Sequence, residues 1–330
     1  MRCLALGQEW RRRGGRVVFL TRCAIEALHQ RIRAAGAEFW PLVGGMSAEV
    51  DIDETLSAAR QLKASFVILD GYEFDLKCQI ALKETGCRLM IIDDTLRLPR
   101  YETDILLNQN LGAERLEYAC NAGALTLLGP KYALLRREFV LWRGRLRTVP
   151  EIASKILVTL GGSDPGKVTL KVIEAIRQLE FRQLQIRVVV GPANSNVDEL
   201  RNAAAGVSGD LELLTSVSDM AEIMAWADVA VAGAGSTSWE LACLGLPAAT
   251  LVVAENQRMI AEELRMAGLA VNLGWHAEVS PERIAKELER LLFSSYRRLQ
   301  MSQRGRALVD GKGAERVAVT LSQRSCMRAA

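Results

Sequence analysis

Residues 229–240 read Val-Ala-Val-Ala-Gly-Ala-Gly-Ser-Thr-Ser-Trp-Glu, a short apolar run that empties into a Gly-Ala-Gly-Ser turn and then a helix start. Glycines such as Gly235 let backbone N–H groups approach a ligand closely, and a helix N-terminus favours an anion. Ser236 and Thr237 add hydroxyls at the same turn. Glu240, one turn into the helix, can accept hydrogen bonds from two vicinal hydroxyls, as on a ribose. The chemistry this spacing suits is capture of a nucleoside diphosphate.

A second glycine turn, Gly161-Gly162-Ser163-Asp164, follows the apolar run Leu157–Leu160. A tight strand-to-helix turn would explain it equally well. In a doubly wound sheet, however, the loops at strand C-termini share one edge, so the two turns can face one diphosphate. Thr215–Met220 also follows a strand pattern. It either meets a nucleobase through backbone groups or supplies a helix N-cap from Ser218 or Asp219. Asn256 and Gln257 close another strand end, as ligands for phosphate or sugar oxygens or as caps.

Two acidic groups end strands earlier in the chain, Asp70-Gly71-Tyr72 and Asp93-Asp94. Paired carboxylates can serve as acid and base, and one of the 93–94 pair can instead cap a helix. His29 sits in a surface helix pattern and His276 in a late loop; both are read as structural. Walker A, G-x-S-x-G and H-x-x-x-H patterns do not occur, which argues against P-loop NTPases, serine hydrolases and zinc peptidases.

The elements that must position these residues alternate strand and helix. Met1–Arg13 has helical spacing and stops at Gly14-Gly15. Strands are expected at 16–21, 37–41, 65–70, 89–93 and 105–108, with a helix at 24–35. After a linker near Leu146–Ser154, further strands are expected at 156–160, 186–190, 211–214, 229–232 and 248–253. This predicts an α/β protein of two doubly wound parallel domains, residues 1–147 and 148–330. Such a domain normally opens on its central strand; here a helix comes first, so the first strand of the N-terminal domain is read as missing.

The composition sets limits. The chain has 330 residues, 49% of them apolar, and a net charge of +3 with a pI near 8.5. That mild, dispersed charge does not suit nucleic-acid binding, and Arg11-Arg12-Arg13 suits a helix C-terminus. Seven scattered cysteines without a C-x-x-C pair argue against a disulfide framework and against a metal site, and fit a reducing, cytoplasmic setting. No apolar run approaches the ~18 residues of a membrane span, and no signal peptide is read.

Taken jointly, several motifs resemble the UDP-2,4-diacetamido-2,4,6-trideoxy-β-L-altropyranose hydrolases of pseudaminic acid biosynthesis and the related spore-coat polysaccharide proteins. They are Met-Arg-Cys-Leu-Ala-Leu at 1–6, Asp-Gly-Tyr at 70–72, Ile-Asp-Asp at 92–94, Leu-Asn-Gln-Asn at 107–110 and Leu-Gly-Pro-Lys-Tyr-Ala-Leu-Leu-Arg at 128–136. The pattern continues with Gly-Gly-Ser-Asp-Pro at 161–165, residues 233–240, Leu-Gly-Leu-Pro at 244–247, Asn256-Gln257 and Asp-Gly-Lys-Gly-Ala-Glu-Arg at 310–316.

The resemblance implies a glycosyltransferase-B architecture whose last helix packs back on the N-terminal domain. It implies inverting hydrolysis of a UDP-sugar at its anomeric carbon, serving flagellin glycosylation, without cofactor or metal; a monomer is the default expectation. The substrate-binding set would be Gly161, Gly162, Ser163, Met220 near uracil, Gly235, Ser236, Thr237, Glu240 on the ribose, Asn256 and Gln257, with Asp70, Tyr72 and Asp94 assisting. The family's catalytic histidine, in a G-x-G-H loop, would fall two residues before Met1; the start is therefore expected to be an internal methionine. A UDP-sugar glycosyltransferase and a catalytically inactive UDP-sugar binder are the alternatives.

Overall fold

The computed structural model describes residues 1–42, 48–181, 183–215 and 217–326. The chain divides into two units, Met1–Arg137 with Lys312–Ala330, and Glu138–Gly311.

The second unit carries β7 (Lys155–Thr159), α6 (Val168–Arg177), β8 (Gln185–Val189), α7 (Val197–Ala204), β9 (Asp210–Leu214) and α8 (Met220–Trp226). It continues with β10 (Val229–Gly233), α9 (Thr237–Leu244), β11 (Ala248–Val252), α10 (Arg258–Met266), β12 (Ala270–Trp275), α11 (Pro281–Leu292) and α12 (Ser295–Leu308). Its strands form one six-stranded parallel sheet in the order β12-β11-β10-β7-β8-β9.

A parallel sheet is covered on both faces, so its strands are apolar without alternation. Ile156, Leu157 and Val158 of β7 are fully buried, as are Val229 to Ala232 of β10. Val172 and Ile176 of α6 and Ile284, Leu288 and Leu291 of α11 pack with Ile156, Val158 and Val229 in one apolar cluster. α9 ends because Gly245 takes a left-handed φ of 63°; any side chain there would also meet Ser302 Oγ at 2.6 Å.

The first unit contains α1 (Arg2–Arg12), β1 (Val18–Thr21), α2 (Glu26–Ala34), β2 (Glu38–Pro41), α3 (Ala48–Leu62), β3 (Phe66–Asp70), α4 (Leu76–Glu84), β4 (Arg88–Ile92), β5 (Ile105–Asn108) and β6 (Leu125–Leu128). A short α5 (Arg137–Arg143) begins where the units divide, and α13 (Gly313–Cys326) belongs to the first unit. The first unit's strands form two parallel sheets, β1-β2 and β3-β4-β5-β6. Ala5 and Leu6 of α1 join Ala314, Val317 and Leu321 of α13 against Met90, Ile92, Ile105 and Leu107. The start of α13 lies close against the segment at 130–133, where a side chain on Gly313 would stand 2.2 Å from the Ala133 carbonyl oxygen.

The fold has the two Rossmann-like parallel domains expected. β6 and β12 lie outside the strands read from the sequence, and the segment read as a linker is firmly held to the second unit. Arg147 donates to the carbonyls of Met224 (2.6 Å), Leu244 (3.1 Å) and Ala227 at the ends of α8 and α9. Burial pushes its guanidinium down to about 10, against the pull of Asp228. Fully buried Arg298 donates to the carbonyls of Leu292 (2.6 Å) and Glu151 (3.1 Å), and also to those of Leu291 and Pro150. Helix C-terminal carbonyls lack intrahelical partners and attract cations.

Arg298→Met is expected to remove four hydrogen bonds to these carbonyls, of which that of Leu292 keeps Ala153 N as a partner, and to cost about 3 kcal/mol of unfolding free energy. Denaturant unfolding checks this; a loss within experimental scatter would show that water replaces the guanidinium at no cost.

Candidate functional site

In the second unit, the two glycine turns follow β7 and β10, which pair directly. Gly161 has a φ of 101°, which requires glycine, and no heavy atom lies within 4 Å of where its side chain would be. Gly162, Ser163 and Ser236 are exposed. The loop's far end is fixed by buried Asp164, which accepts from Val168 N (2.8 Å) and Thr169 N (2.9 Å) at the start of α6. Asp164 and Lys167 both hold left-handed φ values, 45° and 51°, uncommon for residues with side chains. The Gly162 carbonyl accepts from Ala193 N at 3.0 Å. A side chain on Gly191 would lie 2.2 Å from that carbonyl oxygen, so the loop after β8 presses against the first turn.

The turn after β10 leads straight into α9. Ser238 N donates to Gly235 O (3.0 Å) and Trp239 N to Ser236 O (3.1 Å), which tightens the helix start. Thr237 and Glu240 are half-buried in the first turn of α9. Ser238 Oγ and Trp239 Nε1 are buried without a hydrogen-bond partner, an unfavourable arrangement for a packed helix start.

Gln257 was read as a ligand. Its Oε1 accepts from Val253 N at 3.1 Å, and its Nε2 lies 3.4 Å from where a Gly235 side chain would be. It therefore braces the glycine turn against the end of β11, while Asn256 is exposed. Asp219, rather than Ser218, caps α8, accepting from Glu222 N (3.0 Å) and from Trp142 Nε1 (3.1 Å). Met220 directly follows this cap and is 8% exposed. His276 stands against the first loop: a side chain on Gly166 would come within 2.9 Å of its Cε1.

The first unit gathers Asp70, Tyr72 and Asp94 at the C-terminal ends of β3 and β4. Arg2, which sequence reasoning did not place here, joins them. Its Nη2 and Nε donate to Asp70 Oδ1 (2.7 and 3.0 Å), and its Nη1 to both oxygens of Asp94 (2.8 and 2.7 Å). Asp94 also accepts from Asn110 Nδ2 (3.0 Å) and Tyr72 OH (3.4 Å). Burial opposes ionisation of Asp70, but the Arg2 hydrogen bond and charge outweigh it and hold the carboxyl below its usual range. Cys3 donates its thiol to Asp70 Oδ2 at 3.2 Å, and burial followed by the Asp70 charge raises that thiol. A carboxylate so held is a poor proton acceptor near neutrality.

Asp93 turns the other way. It accepts from Thr95 N (2.9 Å), Leu96 N (2.6 Å), Tyr101 OH (2.9 Å) and Tyr118 OH (3.1 Å), and is structural. Burial raises both phenols, reinforced by the Asp93 charge. His29 is structural too, stacked on Phe39 at 3.9 Å and bonded to the Cys23 carbonyl at 2.6 Å. Among the described residues, no group of three His, Cys, Asp or Glu could hold a metal ion, and no helix is long and apolar enough to cross a membrane.

Residues 156–317 match the Glycosyltransferase family 28 C-terminal domain. The spore coat polysaccharide biosynthesis protein SpsG of Bacillus subtilis is 28% identical over 239 residues, 72% of this chain and 70% of that protein. A Nitrosococcus oceani UDP-N-acetylglucosamine–N-acetylmuramyl-(pentapeptide) pyrophosphoryl-undecaprenol N-acetylglucosamine transferase is 38% identical over 169 residues, 49% of this chain but less than half, 46%, of that one. The chain shares its fold with Acinetobacter baumannii MurG (TM-score 0.65, 15% identity, covering 98% of this chain and 95% of that one). It also shares it with the Neisseria meningitidis UDP-GlcNAc 2-epimerase bound to UDP-GlcNAc (TM-score 0.69, 12% identity, 98% of each chain). The fold is thus that of glycosyltransferase-B proteins, and the similarity is to nucleotide-sugar-processing enzymes.

Arg2→Gln is expected to raise the Asp70 carboxyl, because burial then acts without the opposing guanidinium. In the unaltered chain Asp70 titrates below its unfolded value of about 3.9, so its stabilisation is present above that pH and fades as pH falls through the folded value. The variant should lose this acid-limb dependence; carboxyl chemical shifts and melting temperatures below about pH 4 check both.

Proposed function

We propose that this chain binds a UDP-sugar and hydrolyses it at the anomeric carbon with inversion, releasing UDP. The observation that carries the reading is the pairing of β7 and β10, which sets two glycine turns and the α9 N-terminus on one sheet edge. The α9 N–H groups and the Gly161-Gly162-Ser163 and Gly235-Ser236-Thr237 turns would bind the diphosphate and stabilise its charge as it leaves. Glu240 would accept hydrogen bonds from the ribose hydroxyls, with Met220 against the uracil.

Water attacks the anomeric carbon, the bond from that carbon to the phosphate oxygen breaks, UDP departs with the oxygen, and the proton lost by the water passes to bulk solvent. Asp70 and Asp94 are paired with Arg2 and poorly placed to take the water's proton; they suit orientation of a sugar, with Tyr72. The substrate class is a 2,4-diacetamido-2,4,6-trideoxy sugar on the route to pseudaminic acid, on the strength of the motif resemblance and the SpsG similarity. A second reading, transfer of the sugar to an acceptor, is favoured by the family 28 match across 156–317.

Calorimetric titration with UDP and chromatography of released UDP test the reading. Gly235→Val should weaken UDP at least about tenfold, since its side chain enters the space beside Gln257 Nε2. Glu240→Ala should weaken UDP about tenfold while leaving inorganic pyrophosphate unchanged. Absence of UDP binding at millimolar concentration would sink the nucleotide site. UDP release that requires an added acceptor would decide for transfer over hydrolysis.

A further inference from the structure

The chain's two histidines are held in opposite ways. His29 has both ring nitrogens engaged, one by the Cys23 carbonyl at 2.6 Å and the other by Glu26 at 3.3 Å. Half-buried His276 is tied only by its backbone, whose N–H donates to the Val252 carbonyl (3.0 Å) and whose carbonyl accepts from Lys171 Nζ (2.6 Å). Its ring nitrogens have no hydrogen-bond partner among the described residues. The ring is nonetheless firmly seated. Trp275 lies beside it, 5.0 Å between centroids, and a side chain on Gly166 would fall 2.9 Å from its Cε1 and 3.3 Å from its Nδ1. Gly166 does not hold a left-handed φ, so the imidazole rather than the backbone demands glycine there.

This place adjoins both glycine turns. Gly166 belongs to the loop that opens at Gly161, while Trp275 packs against the apolar group of Ala234, Val252 and Ala261, and Ala234 is the middle residue of the turn after β10. The charges around it are otherwise committed. Asp164 gives its carboxylate to the first N–H groups of α6, which closes that helix N-terminus to an added anion. Lys167 is paired with Glu199 of α7 at 2.7 Å. Arg258 of α10 stacks on Trp275 at 4.4 Å and is paired with Glu255 at 2.7 Å. Glu278, two residues beyond His276, is exposed. An anion held between the turns therefore meets partial charges from backbone N–H groups, and the imidazole of His276 is the group beside them with hydrogen-bonding capacity to spare.

We propose that His276 is a diphosphate-binding residue: its ring donates a hydrogen bond to a phosphate oxygen of the bound nucleotide, and Lys171 fixes the backbone that carries it. This rests on the nucleotide reading of the glycine turns and adds the whole charge that those turns lack. The α9 N-terminus and the turn N–H groups supply partial charges only. An imidazole supplies a full one in acid and gives it up between about pH 5 and pH 8. The charged ring makes a charge-assisted hydrogen bond to phosphate, stronger than the bond from the neutral ring. The sign follows. A bound diphosphate favours the charged ring, so binding draws a proton onto His276, and affinity falls as pH rises through that window. A ring that only packed against Gly166 would show no such link.

The test is calorimetric titration of UDP into the unaltered chain and into His276→Gln, at about pH 5.5 and about pH 8. The terminal phosphate of UDP titrates in this range too, but equally for both proteins, so the difference between them isolates the side chain. The unaltered chain should bind UDP about tenfold more tightly than the variant at the lower pH and within about twofold of it at the higher. Equal affinities at both pH values would overturn the proposal, and so would a loss in the variant that is the same at both, which assigns the ring to packing. A second readout needs no folded variant: in the unaltered chain the Cε1 proton resonance of His276 should titrate at higher pH with UDP bound than without it. A resonance that titrates identically in both states would overturn the proposal. UDP bound by neither protein at either pH would remove the nucleotide reading and His276's role together, whereas UDP bound without these differences removes His276's role alone.

Discussion

A buried parallel strand commits its whole backbone to two neighbours, and in this protein that commitment is concentrated in β7. Paired to β10 on one side and β8 on the other, it fixes where three successive loops emerge along one edge of the sheet. The glycine turns are close because their strands are neighbours in the ladder, although about seventy residues separate them in sequence. Side-chain detail then adjusts what the ladder has already placed. Asp164 pins one turn from below, Gly191 presses it from the side, and Gln257 supports the other.

The acidic cluster of the first unit follows a different logic. It is organised by one guanidinium shared between two carboxylates, rather than by backbone geometry. Asp70 and Asp94 come from adjacent strands, and without Arg2 their charges would face each other in a partly dry place. The same cation that holds the pair together keeps the Asp70 carboxyl below its usual range, so Asp70 is a poor proton acceptor near neutrality. Tyr72, 46% exposed, is the member of the group most open to solvent.

Sequence reasoning reached the strands whose burial is two-sided and whose residues are uniformly apolar, such as β7, β10 and β11. It passed over β12, where Asn272 and Gly274 interrupt the run and the register shifts beside Thr250. It passed over β6, a short Leu-Thr-Leu-Leu segment behind the Gly123 turn. The glycine turns were legible because their chemistry is local. Arg2 was not, because its role depends on strands more than sixty residues away; its motif position was visible but carried no partner. Which of Asp93 and Asp94 turns inward was likewise undecidable from two identical neighbours. The tyrosines at 101 and 118 settle it, and their approach is tertiary.

The return of α13 to the first unit has a consequence for how the chain is made. One apolar cluster of the first unit includes Ala314, Val317 and Leu321, so that cluster is completed only after residues 312–326 have left the ribosome. The second unit is contiguous from 138 to 311. Synthesis therefore delivers the units in inverted order. The part translated first is finished last, because the one apolar cluster that α13 completes waits for the end of the chain.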